Sequence, residues 1–417
     1  MITSGFSSVD RRALLKYGGA ALAFAGSGAR VVAQGKDSII VALNSAPKFF
    51  NPNYLFDGAC YYVTPNIFGK LVDYMADGSV AGDLAEKWDV SEDRLTYTFH
   101  LHKNVRWTDG KPLTAKDVVW TINSINKEKG YGAAALAGIV EVAAPDDSTV
   151  RIKLAEVNSS FLEQIAQRYG FVILPSHIYE NSDPRSNPAN LKPIGCGPYK
   201  VVSFNPGDHI QLEANPDYFK GVPKLKNVFF KFYPEYSAAV AEMRSGGLGL
   251  MLSSPPLSAI RQLQNTKGVA VEVADSYPQL MVWIGFNFRN KILADLRVRQ
   301  AIGHAINRDQ IKESVFLGLG EARQGVPAPW HPYFPGAEWA QKYTEFKRDE
   351  ANKLLDSIGL DKKDAQGLRL LPNGKPATIE ISVVPAFGAW PDVALLVSKD
   401  WEAVGVKTIV QIRERAL

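Results

Sequence analysis

At 417 residues the chain is too long for one ordinary core and suggests two or three domains. Its 46% hydrophobic and 22% charged residues are globular proportions, which exclude a disordered or collagen-like chain, and no solenoid-period repeat runs through it. The net charge of +4 is largely that of residues 1–33: they hold four of the 47 basic residues and one of the 43 acidic ones, leaving 43 against 42. No Lys/Arg patch interleaved with aromatics remains to suggest a nucleic-acid partner.

Arg11, Arg12 and Lys16 open a three-part export signal, followed by a mildly apolar run from Tyr17 to Ala29 and a small-residue cleavage site, VVA, ending at Ala33. The segment is too short to span a bilayer. The paired arginines before ALLK, with a Gly/Ala-rich core, predict a twin-arginine signal, an ordinary secretory signal being the alternative. No cysteine stands at the cleavage point to carry a lipid anchor. No later apolar run reaches the roughly 18 residues of a membrane span, so a soluble exported protein is expected. Cys60 and Cys196 do not make a disulfide framework in a chain this long, and whether they pair stays open.

SIIVAL (Ser38–Leu43) reads as a short buried strand, and FFNPNYLFDGACYY after it as an aromatic-rich loop. In DRLTYTFHLHKNVRW, Tyr97, Phe99 and Leu101 alternate with Thr98, His100 and His102, the pattern of a half-buried strand. After a TDG turn a helix is predicted, with Thr114 as N-cap, Asp117 three residues on as in a capping box, and Val118, Ile122 and Ile125 on one face. STVRIKL alternates again through Val150, Ile152 and Leu154. Beyond residue 190 strands and turns dominate, as in HIQLEANPDYF and NVFFKFY. From about 275 an α/β region follows, with Val298, Ala301, Ile302 and Ala305 on one helical stripe. DEANKLLDSIG and PDVALLVSKDWEAVG are amphipathic helices closed by Gly359 and Gly405, Pro391 suiting the first turn of the second. TIEISVV and VKTIVQI read as strands. This alternation predicts a mixed or parallel sheet covered by helices.

The six histidines are scattered, without a zinc signature, so no metal and no cofactor are expected. His100 and His102 share a strand face, which reads as a solvated polar face. SAPK, Ser45 to Lys48, has the Ser-x-x-Lys spacing of serine acylases, but that motif needs a helical turn and Pro47 stands inside it. GCGPY, Gly195 to Tyr199, has Gly-x-Gly but lacks the third glycine and the following helix of a dinucleotide loop. It reads instead as a tight turn into a strand, the glycines supplying backbone freedom and Pro198 fixing the turn. Cys196 is expected to be a buried substitution rather than a nucleophile.

Three stretches carry a family resemblance: AGDLAEKWDVSEDRLTYTFHLHKNVRWTDGKPLTAKDVVWTI, PIGCGPYKVVSF, and IGFNFRNKILADLRVRQAIGHAINRDQI. In order and spacing they resemble the family 5 extracellular solute-binding proteins of ABC importers, over residues 38–412. The resemblance implies an α/β, two-lobed periplasmic binding protein, a hinged trap with a small subdomain inserted in lobe I. It assigns 34–78 and 190–275 to lobe I, 79–189 to the inserted subdomain and 276–417 to lobe II. It implies a monomer that captures a peptide or similar solute and passes it to a membrane permease and its ATPase. Ligand-binding candidates carried over are Asp57 for a ligand amine, Tyr54 as a wall, Ser253 and Ser254 as hydroxyls, and Tyr277 and Trp283 as stacking surfaces. For each aromatic, core packing is the competing role, and for Asp57 a solvated loop position. In the family the chain continues past the strand matching VKTIVQI and returns to lobe I, whereas this sequence stops at RERAL. A truncated product with weak ligand capture is expected, lobes that close differently being the other reading. An oligosaccharide receptor of the same family is the alternative within binding proteins. A secreted hydrolase using Ser45 or a histidine is the alternative from another class.

Overall fold

A computed structural model of the chain describes residues 37–55, 58–75, 77–167, 171–252, 257–272, 282–324, 334–384 and 389–413. The expected export signal, residues 1–33, lies outside the described residues, as do Asp57, Ser253, Ser254 and Tyr277. Among the described residues no helix is long and apolar enough to cross a membrane.

The strands are β1 (Ser38–Leu43), β2 (Val72–Tyr74), β3 (Val80–Gly82), β4 (Ala85–Val90), β5 (Thr96–Leu101), β6 (Ile139–Asp146), β7 (Thr149–Leu154), β8 (Tyr199–Asn205), β9 (His209–Ala214), β10 (Asn227–Phe232), β11 (Leu250–Met251), β12 (Thr378–Val383) and β13 (Lys407–Ile412). A five-stranded sheet runs β11-β1-β10-β9-β8. β1 lies parallel to both β10 and β11, while β10, β9 and β8 pair antiparallel, so the sheet is mixed. A four-stranded antiparallel sheet, β4-β5-β7-β6, is built entirely from residues 85–154. β2 and β3 make a hairpin, and β12 and β13 a parallel pair.

The predicted alternation in β5 holds: Tyr97, Phe99 and Leu101 are buried and the residues between them half-buried. Ala115–Lys127 is a helix, and the Asp117 carboxylate accepts the Thr114 backbone N–H at 2.9 Å, the capping box expected from TAKD. That carboxylate also takes the Ser176 N–H (2.9 Å) and hydroxyl (2.7 Å), so the cap doubles as a tie to the chain beyond β7. Trp390–Ala403 is the helix predicted around Pro391; Gly405 follows it at φ 86°, where the Val406 N–H reaches back to the Trp401 carbonyl. One expectation is shortened. The aromatic loop was expected to run through Tyr62, but Gly58–Val63 coils into a short helix that buries Ala59, Cys60 and Val63.

Two apolar clusters share no residue. The first joins the five- and four-stranded sheets through side chains from Val41 to Phe230, including Phe50, Phe99, Trp107 and Phe161. The second runs from Leu293 to Val406 and packs Trp401, Val397, Ile302 and Leu355 around Ile379 of β12.

Candidate functional site

The loop before Asp57 is held by side chains that spend their polar groups on backbone. Asn53, fully buried, donates to the Val172 carbonyl (2.8 Å) and accepts the Val172 N–H (2.9 Å), doing the work of a strand neighbour. Asn51 donates to Asn190 Oδ1 (2.9 Å), which also takes the Tyr179 hydroxyl (3.0 Å). Phe50 N–H bonds to the Asn190 carbonyl at 2.7 Å. Tyr54 is only 4% exposed, with its hydroxyl 2.6 Å from Ser124 Oγ and the Arg185 guanidinium 5.6 Å from its ring centroid. Burial raises its phenol pKa. Arg185 further donates to the Tyr54 and Glu128 carbonyls. The chain is thus gripped up to Tyr54 and surfaces at Leu55, which is 36% exposed.

Trp283 is the opposite case, at 71% exposure. Its ring folds back over Gly285, where a Cβ would come within 2.6 Å of the indole. Val282, Ile284 and Phe286, alternating with it, pack on the second apolar cluster. The segment forms one wall of a groove of about 550 Å³, whose other walls are Ile379–Val384 and the Trp390, Val393 and Val397 face of the last helix. Of the six ligand candidates, only Tyr54 and Trp283 lie among the described residues. Tyr54 belongs to the first apolar cluster and offers almost no surface, whereas Trp283 is exposed and only its neighbours pack on the second.

GCGPY is a site of close backbone approach. A Cβ on Gly195 would stand 2.0 Å from the Ile67 carbonyl oxygen, and one on Gly197 2.7 Å from the Ile67 carbonyl carbon. Gly197 N–H bonds that carbonyl at 2.8 Å, and Thr108 N–H bonds the Gly195 carbonyl at 2.8 Å. Neither glycine has a positive φ. The expected need for backbone freedom is therefore corrected to a need for room, since two chain segments touch there. Cys196 is 1% exposed and burial pushes its thiol pKa up, which disfavours the thiolate a nucleophile requires. Cys60 Sγ instead meets the Phe49 carbonyl at 2.7 Å, and no disulfide joins the two. Beside the turn a cavity of about 180 Å³ holds Lys70 with Asp73 and Lys220 with Asp83, each pair at 2.5 Å, so its charges cancel.

Features with a catalytic look are absorbed locally. Ser45–Lys48 is irregular chain, not a helical turn. His100 Nε2 meets Asp89 at 2.8 Å across β4 and β5, while the His102 ring lies against Phe219, so the two histidines serve separate neighbours. The sequence reading missed the Asn51, Asn53, Asn190 and Arg185 framework. The one signal that could have exposed it is the pair of asparagines around Pro52, inside an otherwise apolar stretch.

Residues 79–416 match the model of the bacterial extracellular solute-binding proteins, family 5. A Brucella ovis protein named as a candidate ABC transporter peptide-binding protein is 33% identical over 337 residues, covering 79% of this chain and 60% of its own length. The chain thus spans about 60% of such curated relatives. The oligopeptide-binding protein AppA of Bacillus subtilis is 29% identical over 388 residues, 91% of this chain and 70% of that one. The AppA structure with a nonapeptide superposes with a TM-score of 0.74 at 28% identity, over 92% of this chain and 75% of the other. NikZ of Campylobacter jejuni with Ni(L-His) gives 0.73 at 25% identity, over 92% and 75%.

Proposed function

This chain belongs to the bacterial extracellular solute-binding proteins of family 5, and on that footing we propose that it captures a peptide or similarly sized solute between two lobes and delivers it to the membrane permease and ATPase of an ABC importer. The carrying observation is the joint likeness in sequence and fold to AppA, whose solved form holds a nonapeptide. Residues 34–78 and 190–275 form lobe I, 79–189 its inserted subdomain and 276–417 lobe II. The insertion of β1 between β10 and β11 supports the first assignment. The protein acts in the periplasm as a monomer, after a twin-arginine-type signal is removed near Ala33, and binds without turning its solute over.

Asp57 takes a ligand amine, Ser253 and Ser254 offer hydroxyls, and Tyr277 and Trp283 supply flat surface. Tyr54 holds the loop that carries Asp57. The exposed Trp283 ring also favours a second reading, an oligosaccharide receptor in which the indole stacks on a sugar face. Calorimetry with di- to nonapeptides and with oligosaccharides separates the two. Peptide binding that Trp283→Ala weakens about tenfold, or by ~1.4 kcal/mol, supports the first. Sugar binding alone selects the second. Turnover on peptide or ester panels that Ser45→Ala abolishes would overturn both in favour of a hydrolase.

A further inference from the structure

The cavity beside the GCGPY turn takes no part in the solute site proposed above. Its walls come from stretches spread between Thr64 and Lys220, so it exists only once the first region has folded. Phe68 and Val172, both buried, give it apolar sides. Its polar groups are partly spent on one another. Lys70, 7% exposed, donates to Asp73 Oδ1 and to the Ala166 carbonyl. Lys220 donates to Asp83 Oδ1, while Asp83 Oδ2 accepts the Lys70 backbone N–H at 2.8 Å. Bonding capacity is left over on both signs of charge. Among the described residues, Asp73 Oδ2 accepts no hydrogen bond and Lys220 spends a single N–H donor, on Asp83. The Tyr218 hydroxyl, which also lines the cavity, makes no hydrogen bond among the described residues. Its pKa is pushed up to about 12, by burial first and then by Asp83, Cys196 and Asp73, so at neutral pH it keeps a proton to donate.

We propose that this cavity binds a small zwitterion of the α-amino-acid class: its ammonium bonds Asp73 and Asp83, its carboxylate takes the Tyr218 hydroxyl and the Lys220 ammonium, and a short side chain rests against Phe68 and Val172. The charge fits. Two carboxylates and two ammonium groups sum to zero, so a ligand with a net charge would be buried uncompensated. A molecule that carries both signs at its own two ends meets a partner at each. The size fits as well. A cavity of about 150 Å³ admits benzene, so one of about 180 Å³ takes a molecule of roughly six or seven heavy atoms, such as L-alanine. Apolar walls with a few placed polar groups are the usual make-up of a small-molecule site. Because every lining residue lies between Thr64 and Lys220, the site stands independently of solute capture between lobes.

The test is carbon NMR on the full chain with its tyrosines labelled at Cζ, titrated with L-alanine to about 50 mM, a range suited to so small a ligand. The Tyr218 signal, identified by its loss in Tyr218→Phe, should shift and saturate while that of Tyr54 stays still. Tyr218→Phe keeps the ring and removes only the hydroxyl. It should weaken L-alanine binding roughly tenfold or more by calorimetry, with the unfolding midpoint little changed. N-acetyl-L-alanine, which lacks the ammonium, and L-alaninamide, which lacks the carboxylate, should leave the Tyr218 signal where it is. A Tyr218 signal that has not moved at the end of the L-alanine titration overturns the proposal. So does equal binding of either analogue, or an unchanged affinity in Tyr218→Phe. Displacement of L-alanine by trialanine, which is too large for the cavity, would place the amino acid elsewhere and overturn it too.

Discussion

Residues 37–272 and 282–413 bury similar kinds of side chain by different means. In the first region distant segments close on one another: Ser38 stands opposite Asn227, and Asn53 bonds both backbone groups of Val172. In the second, single side chains reach across the chain: Trp401 Nε1 donates to the Ile302 carbonyl (3.0 Å) and Asp400 accepts the Asn307 N–H (2.8 Å). β12 and β13 flank a single helix, and Arg369, 1% exposed, gathers the surrounding turns by donating to the Val404 carbonyl (2.7 Å), Asn352 Oδ1 (2.7 Å), Asp356 (2.5 Å) and the Leu360 carbonyl. One region is sealed by reciprocal long-range bonds. The other is gathered by single side chains, Arg369 foremost.

The sharpest way to break the contrast is Arg369→Ala. Removing one partner of a buried charge network costs about 3–5 kcal/mol, so the second region should melt well below the first. Calorimetry that shows both transitions unmoved would deny the arginine its role. Gly195→Ala acts on the other side. A methyl driven into the Ile67 carbonyl should cost about 3 kcal/mol and lower only the transition of the first region. Asn53→Ala strands the Val172 N–H and carbonyl in the core and should cost about 2 kcal/mol there, read from the shift in denaturant midpoint.

The smallest effect at neutral pH is the most selective at high pH. Burial is the leading cause that raises the phenol pKa of Tyr54, Tyr62, Tyr179, Tyr199, Tyr218, Tyr233 and Tyr236, with Tyr218 pushed up to about 12. All seven lie in the first region. Their folded forms keep a proton that the unfolded chain gives up near pH 10, so the stability they contribute is intact below that and drains away as pH rises toward 12. Alkaline titration followed by far-UV circular dichroism should unfold the first region before the second. The reverse order would contradict the burial assigned to these phenols.

The sequence made local features visible and hid those that depend on contact at a distance. Tyr97, Phe99 and Leu101 showed their strand by alternation, and Thr114 and Asp117 their helix start by spacing, because each signal fits within a few residues. The turn around Cys196 was recognised as a turn, but the reason for its glycines was not, since Ile67 lies far away along the chain. The same holds for the proposed ligand loop. Tyr54 reads as a wall in sequence, whereas Ser124 and Arg185, distant in sequence, draw it into the core. Trp283 was expected as a stacking surface from family likeness alone, and no periodic pattern said that Gly285 would make room for its ring.

The position of β1 also governs time. Both of its neighbours, β10 and β11, are made long after it, the second ending at Met251. At roughly 5–20 residues per second, a ribosome leaves SIIVAL without either neighbour for on the order of 10–40 s. During that interval the first sheet cannot close, however well its later strands fold. A chaperone that grips extended apolar chain thus has a window to keep the nascent chain open, and one six-residue strand sets its length.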